Sequence, residues 1–363
     1  MTKLKNQAGN LCFSLIIIGL AVMPLLMAAG VAESPLIIFL GKCVAFSIVA
    51  IGLDLIWGYT GILSLGHGLY FALGGYGMAM YLKLRATHGA ITEFMHTGGL
   101  TALPAVWKPF QSLPLTVLSV LIVPAGLAYI IGYFIFKNRI KGVYFSIISQ
   151  ALTWAAYSVF IALSPYTNGN VGITEIGSLA GKIRGSANQG RLTLLFYVSL
   201  AILALIYATA AFLVRTKFGK LLIAIRDGEN RTYFSGYRVS RYKTFIYVLS
   251  AAIAAVAGAI FVNFNGSITP SQMTIAFSVN MVIWVAIGGR GTIVGAVIGA
   301  LLVNLCEYNL SSGGMIEVWQ YIVGGIFCVT ILFFKGGIMG LFREQIPAFL
   351  RKLKVRGGQK VES

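Results

Sequence analysis

The sequence predicts an all-α polytopic membrane protein of about ten transmembrane helices, with both termini cytoplasmic and one span broken or re-entrant. Three observations carry that expectation. The 363 residues are 58% hydrophobic and only 10% charged, whereas soluble domains carry roughly a quarter of their residues as charges. The mean hydropathy is +0.84, and the charged residues gather between apolar runs, as in a chain threading a bilayer. The net charge of +18 sits in short loops and tails. Such a distribution sets topology and meets anionic lipid; it does not build a nucleic-acid face.

A span needs about 20 mostly apolar residues. Ten stretches qualify: 11–30, 35–57, 62–82, 114–136, 144–163, 192–214, 244–264, 272–289, 293–310 and 318–334. Lys3 and Lys5 precede the first, which is long for a signal-peptide core and lacks a small-x-small cleavage site. It reads as a retained span rather than a cleaved signal. The third and eighth are the weakest. The third contains Gly66, Gly68, Gly74, Gly75 and Gly77, and a broken helix at membrane depth persists only when protein or water covers it.

Placing the N-terminus inside and alternating puts twenty-one Lys and Arg residues on the cytoplasmic side and six outside, with Lys42 left within a span. The positive-inside rule therefore supports an even number of spans and this orientation. The chain then divides into a cytoplasmic N-terminus at 1–10, a transmembrane domain at 11–334 and a basic cytoplasmic tail at 335–363. Apolar residues among the tail's basic ones (Ile346, Phe349, Leu350, Leu353) suit a membrane-surface segment. Two outside loops, about 83–113 and 164–191, are long but lack the periodicity of a domain. No clear internal repeat is visible.

One polar island stands out. Residues 215–243 hold eight basic side chains against Asp227 and Glu229, between two apolar runs. The loop is too long for a turn and carries helical periodicity, so it is expected to fold and to be gripped by a cytoplasmic partner.

No catalytic constellation is present. Cys12, Cys43, Cys306 and Cys328 all lie within apolar runs, without a CxxC or a Cys/His cluster, as small buried hydrophobes do. There is no GxxxxGK[ST] loop, so the chain binds no ATP that way. Polar groups in spans are the candidates for a solute path: His67 in SLGHG, Gln150, Asn280 with Trp284 at i, i+4, and Asn304 with Glu307 at i, i+3. A structural hydrogen bond competes with that role at His67, and a solvated helix end or an internal strut competes at Asn304 and Glu307. Asp54 and Lys42 share the second span, each within reach of an end. A carrier coupled to protons or sodium needs a buried carboxylate relay or an ion cage, and only Glu307 and Asp54 offer carboxylates. The chain reads as a conduit powered by something else.

These residues bring a resemblance with them. GYTGILSLGHGLYFALGGYGMAMYL at 58–82, KGVYFSIISQALTWA at 141–155, FGKLLIAIRDGENRTYFSGY at 218–237 and MVIWVAIGGRGTIVGAVIGALLVN at 281–304 resemble the LivM-type permeases of ATP-binding-cassette importers. The match runs from about Leu53 to Leu341. GVYFSIISQAL and GENRTYFSGY, with Thr232, Tyr233 and Phe234 after the AIR motif, look more like the family's urea-type (UrtC-like) branch than like its branched-chain amino-acid permeases.

The resemblance implies a multi-pass subunit of the bacterial inner membrane, without catalysis or a cofactor of its own. Its partners would be a second homologous permease, two cytoplasmic ATPases that hold ATP and Mg, and a periplasmic solute-binding protein. Residues 215–243 would be the coupling loop, with Arg226, Asp227, Glu229, Asn230, Arg231 and Arg238 at the ATPase interface and Gly236 turning between two short helices. Arg290 in GGRGT would anchor a cytoplasmic turn, and NGNVGIT at 168–174 is similar to an outside loop of the family. The expected function is uptake of a small neutral polar solute, urea first. The alternatives are a branched-chain amino-acid importer, a passive urea or ammonia channel, and a secondary carrier.

Overall fold

The computed structural model describes residues 2–28, 34–140, 142–179, 189–312, 321, 324, 325, 328 and 336–340. Among them the regular elements are helical: α1 (Thr2–Ala28), α2 (Ser34–Thr60), α3 (His67–Ala86), α4 (Glu93–Thr97), α5 (Leu113–Lys137), α6 (Val143–Ala162), α7 (Ser164–Thr167), α8 (Gln189–Arg215), α9 (Lys217–Phe234), α10 (Val239–Asn265), α11 (Ile275–Gly288) and α12 (Ile293–Ser312). Two 3-10 turns, Ala105–Gln111 and Pro270–Met273, and a short helix at Gly337–Gly340 complete the set.

Seven described helices, α1, α2, α5, α6, α8, α10 and α12, are long and apolar enough to cross a bilayer. The expected third and eighth spans are different objects. Helix α3 has 20 residues but is not apolar enough to count among the long spans, and α11 has just 14. Each follows a stretch outside the α-helices, 61–66 and 266–274, the second of which contains the 3-10 turn Pro270–Met273. The expected break in the third span thus lies before the helix. The tenth span and the basic tail fall almost wholly outside the described residues.

Helices α2 and α10, 27 residues each, form the centre. The most apolar stretches of the two are 72% and 67% buried, against 17–28% for α1, α5, α6 and α8, which therefore form the periphery. The central pair is antiparallel, with Gly41 against Phe264 near one end and Gly52 against Ser250 and Ile253 further along. Small residues set the close contacts, as in other membrane bundles. A Cβ at Gly258 would overlap the Phe71 carbonyl of α3, and one at Gly299 would overlap the Trp284 carbonyl of α11.

Helix α3 packs on α10 and α5, while α11 packs on α2 and α12. Each of these two helices thus lies against the central helix that does not precede it in the chain.

The basic clusters share one face. Asn10 of α1 accepts hydrogen bonds from Tyr207 Oη (3.1 Å) and Arg215 Nη2 (2.8 Å) of α8, and the Arg139 guanidinium from the α5–α6 turn lies 4.5 Å from the Tyr233 ring of α9. On the opposite face Lys83 Nζ donates to the Thr174 carbonyl (3.0 Å) and Trp107 Nε1 to the Tyr166 carbonyl (3.1 Å). Ile173 pairs with Ile268 there in an isolated antiparallel bridge. Asn168, in the left-handed region at φ 62, donates from Nδ2 to the Gly172 carbonyl (2.7 Å), so NGNVGIT is a closed turn.

Because the α3–α10 contact is backbone to backbone, Gly258→Ala should destabilise the protein by about 1–3 kcal/mol. Gly126→Ala, at a position with open space around it, is the control. Thermal unfolding in detergent, followed by size-exclusion chromatography, reads the difference, and equal melting of the two variants would contradict this packing.

Candidate functional site

The site grows from the way α9 is built. Helix α8 ends at Arg215, and Thr216 turns the chain directly into α9, whose Leu222, Ile225 and Thr232 are buried against the bundle. At Gly228 the helix is interrupted by an extended residue (φ −169, ψ 76), which breaks the regular run of helical hydrogen bonds there. The Thr232 hydroxyl donates to both the Ala224 and Gly228 carbonyls, at 3.1 Å each. Thr232, noted in the sequence only as a branch marker, is the side chain that makes the kink affordable.

The kink gives α9 two faces. Inward, Arg226 Nη1 donates to the Gly58 carbonyl at the end of α2 (2.8 Å), and its Nε pairs with Asp227 Oδ1 (3.0 Å). Glu229 Oε1 meets Lys243 Nζ at the start of α10 (2.8 Å), and these side chains are 24% and 6% exposed. A pair this enclosed is costly to break from one side only. Outward, Asn230, Arg231, Tyr233, Phe234, Tyr237 and Arg238 are exposed, Phe234 by 86%. Arg231 Nη2 reaches back to the Asp227 carbonyl (3.4 Å).

The end of α2 is shared with a second element. Arg290, in the GGRGT turn between α11 and α12, donates from Nε to the Trp57 carbonyl (3.2 Å) and stacks 4.9 Å from the Trp57 ring centroid. Burial, then the like charge of Arg226, lowers the Arg290 pKa, while Asp54 raises it. The next residue, Gly291 (φ 76), donates its amide to Asp54 Oδ1 (2.7 Å). Two guanidiniums thus occupy carbonyls at the negative end of α2, where cations are favoured. Between these elements lies a cavity of about 280 Å³, lined by Gly61, Phe136, Phe145, Arg226, Glu229 and Lys243 among others.

The sequence-derived candidates separate accordingly. Asp227, Asn230, Arg231 and Arg238 are exposed, whereas Arg226 and Glu229 are engaged by α2 and α10. Gly236 (φ 87) makes the turn from α9 into the long α10. The expected turn between two short helices lies instead at Gly228, because only there does α9 lose helical geometry. Sequence reasoning missed Asp54, Lys243, Thr232 and the exposed aromatics as parts of this junction. The run TYFSGY carried the aromatic signal, whereas Asp54 is 237 positions from the Gly291 it holds.

The path candidates do not form one cluster. His67 is fully buried at the start of α3. Ser250 Oγ donates to the Gly52 carbonyl, so it accepts from His67 Nε2 at 2.6 Å, which assigns the Nε2–H tautomer. The hydrogen-bond reading of His67 therefore has a definite partner. Nearby, Tyr70 Oη and Tyr247 Oη pair at 2.7 Å. Asn304 Nδ2 donates to its own helix at the Ala300 carbonyl (2.7 Å), and Trp284 packs against Phe46. Gln150, Asn280 and Glu307 are half-buried.

Comparisons with known proteins agree with this architecture. A family model described as the permease component of the branched-chain amino acid transport system matches residues 36–332. A high-affinity branched-chain amino acid permease, LivM, of Salmonella typhimurium is 22% identical over 86% of this chain and 70% of its own length. A probable LivM of Methanocaldococcus jannaschii is 25% identical over 80% of this chain and 88% of its own. The ribose import permease RbsC of Escherichia coli K12 is 25% identical over 69% and 77%. No solved structure matches the chain. With a family model covering most of its length and seven described helices able to cross a bilayer, the chain belongs to the branched-chain amino acid transport permease family and is a multi-pass membrane permease subunit.

Proposed function

We propose that the chain is one of two homologous permeases of an ATP-driven importer in the bacterial inner membrane, and that α9 is the element through which a cytoplasmic ATPase drives it. The observation that carries this reading is the division of α9 into two faces. Arg226 and Glu229 tie it to α2 and α10, while Arg231, Phe234, Tyr237 and Arg238 point away from the bundle. Exposed Arg and aromatic side chains around a helix end have the composition of a protein interface core. The full machine would add a second permease, two ATPases holding ATP and Mg, and a periplasmic binding protein. The face carrying α9 would be the cytoplasmic one, in keeping with its basic residues.

For the solute, the reading is a small neutral polar molecule, urea first. What supports it is the character of the buried polar groups around α3. They are hydroxyls, a neutral imidazole and backbone amides, which suit hydrogen bonding more than capture of a zwitterion. A branched-chain amino acid is the second reading, favoured by what the LivM relatives are named for.

Cells lacking the chain, with and without its restoration, decide the solute. Restored uptake of labelled urea that ATP depletion abolishes and excess leucine leaves alone is the expected result; leucine uptake without urea uptake moves the assignment to the second reading. Arg231→Ala with Phe234→Ala should cut co-purification of the ATPase at least ten-fold while membrane insertion persists, and unchanged co-purification would contradict the docking face. Glu307→Gln should leave ATP-driven uptake within about two-fold of the parent, because Glu307 has no role in this reading. Uptake lost in that variant, and lost on collapse of the proton gradient at constant ATP, would indicate a secondary carrier.

A further inference from the structure

Asp54 is the acidic group that neither the fold nor the docking face explains. Its side chain is fully buried, near the C-terminal end of α2, where the helix dipole disfavours a carboxylate. Oδ1 holds the Gly291 amide of the GGRGT turn. Oδ2 has no hydrogen-bond partner among the described residues. A buried carboxylate with a free oxygen is expensive to keep, and an Asn or a Ser could have capped Gly291 without that cost.

The cations around it are placed on its neighbours. Arg226 of α9 sits on the Gly58 carbonyl and Arg290 on the Trp57 carbonyl, one turn further along α2. The approach is close: a Cβ on Gly58 would overlap Asp54 Oδ1 and the Gly291 backbone, and one on Gly291 would lie 3.8 Å from Arg226 Nη1. Arg226 and Asp54 thus both border the Gly58–Gly291 approach. The last two turns of α2 therefore contain two alternative acceptors for one arginine, a carbonyl in use and a carboxylate oxygen free.

From this geometry we infer that Asp54 is a positioning residue that links α9 to the α11–α12 turn. Its Oδ1 keeps the GGRGT turn on α2, and its Oδ2 receives the Arg226 guanidinium from the Gly58 carbonyl when α9 is displaced. A shift of α9 is thereby handed both to α2 and to the pair α11–α12, because Arg226 holds the end of α2 and Asp54 holds the turn that joins α11 to α12. Two discrete partners for one guanidinium form a bistable contact of the kind that turns small displacements into helix movements. The inference rests on the proposed driving of the permease through α9.

The test uses the whole importer in proteoliposomes, with ATP hydrolysis measured alongside uptake of labelled urea and labelled leucine. Asp54→Asn keeps an acceptor for Gly291 but removes the charge. A purely structural Asp54 would be rescued by it. The inference expects the complex to assemble and hydrolyse ATP while solute moved per ATP falls at least ten-fold, and it expects the double variant with Arg226→Gln to be no worse than the poorer single one. Normal solute per ATP in Asp54→Asn, or defects that multiply in the double variant, would overturn it. If Asp54→Asn does not assemble, Gly58→Ala retains the carboxylate and pushes the turn off it; a fall of similar size supports the inference and a normal ratio overturns it. ATPase co-purification separates this from the parent reading. If it ignores Arg231 and Phe234, the driving of the permease through α9 fails. If it needs them while Asp54→Asn transports normally, only the Asp54 assignment fails.

Discussion

A backbone that leaves a helix inside a bilayer has no water to bond, so the protein has to supply every partner itself. This chain breaks its helices where that demand is greatest. The extended stretch 61–66 is held by α6, where Ser146 Oγ donates to the Leu63 carbonyl (2.7 Å) and Ser149 Oγ accepts from the Leu65 amide (3.2 Å). The start of α3 is held by α11, whose Ser278 Oγ accepts from the Gly68 amide (3.2 Å). The second extended stretch carries its own cap, with Gln272 Oε1 accepting from the Thr269 amide (2.9 Å). These hydroxyls and amides fix where α3 and α11 begin.

The same demand explains the assembly of the bundle. Helix α6 is largely exposed, with only Phe145, Ser149 and Thr153 buried, yet two of those three are the hydroxyl residues turned toward the broken segment. In lipid an exposed apolar side chain costs nothing, so peripheral helices need little burial; van der Waals contact between small residues and a few hydrogen bonds hold them. The Gly258 and Gly299 contacts let the backbones of α10 and α3, and of α12 and α11, meet closely.

Charge is handled by separation. The basic residues gather at one face, and three of them are matched to a helix end or an acid: Arg226 and Arg290 to the carbonyls of α2, Lys243 to Glu229. Attachment through Arg226 and Glu229 turns α9 from a loop between spans into a lever resting on both central helices. The exposed aromatic end, Phe234 and Tyr237, is the part of that lever left without cover in the isolated chain.

The sequence by itself determined the membrane class, the approximate place of the long helices, the folding of 215–243 and the weakness of the third and eighth spans. Those are local quantities: runs of apolar residues, clusters of charge and glycine density survive any rearrangement of distant segments. Only the tertiary structure decided which polar residues are partners. Asp54 and Gly291, Arg226 and Gly58, His67 and Ser250 are separated by 237, 168 and 183 positions, and no periodicity records such pairings. It also decided that Arg226 and Glu229 are engaged by α2 and α10, and that Gly228 rather than Gly236 breaks the helix. In each case the cause is a backbone group that had to find a partner across the bundle, and one-dimensional pattern does not say where that partner stands.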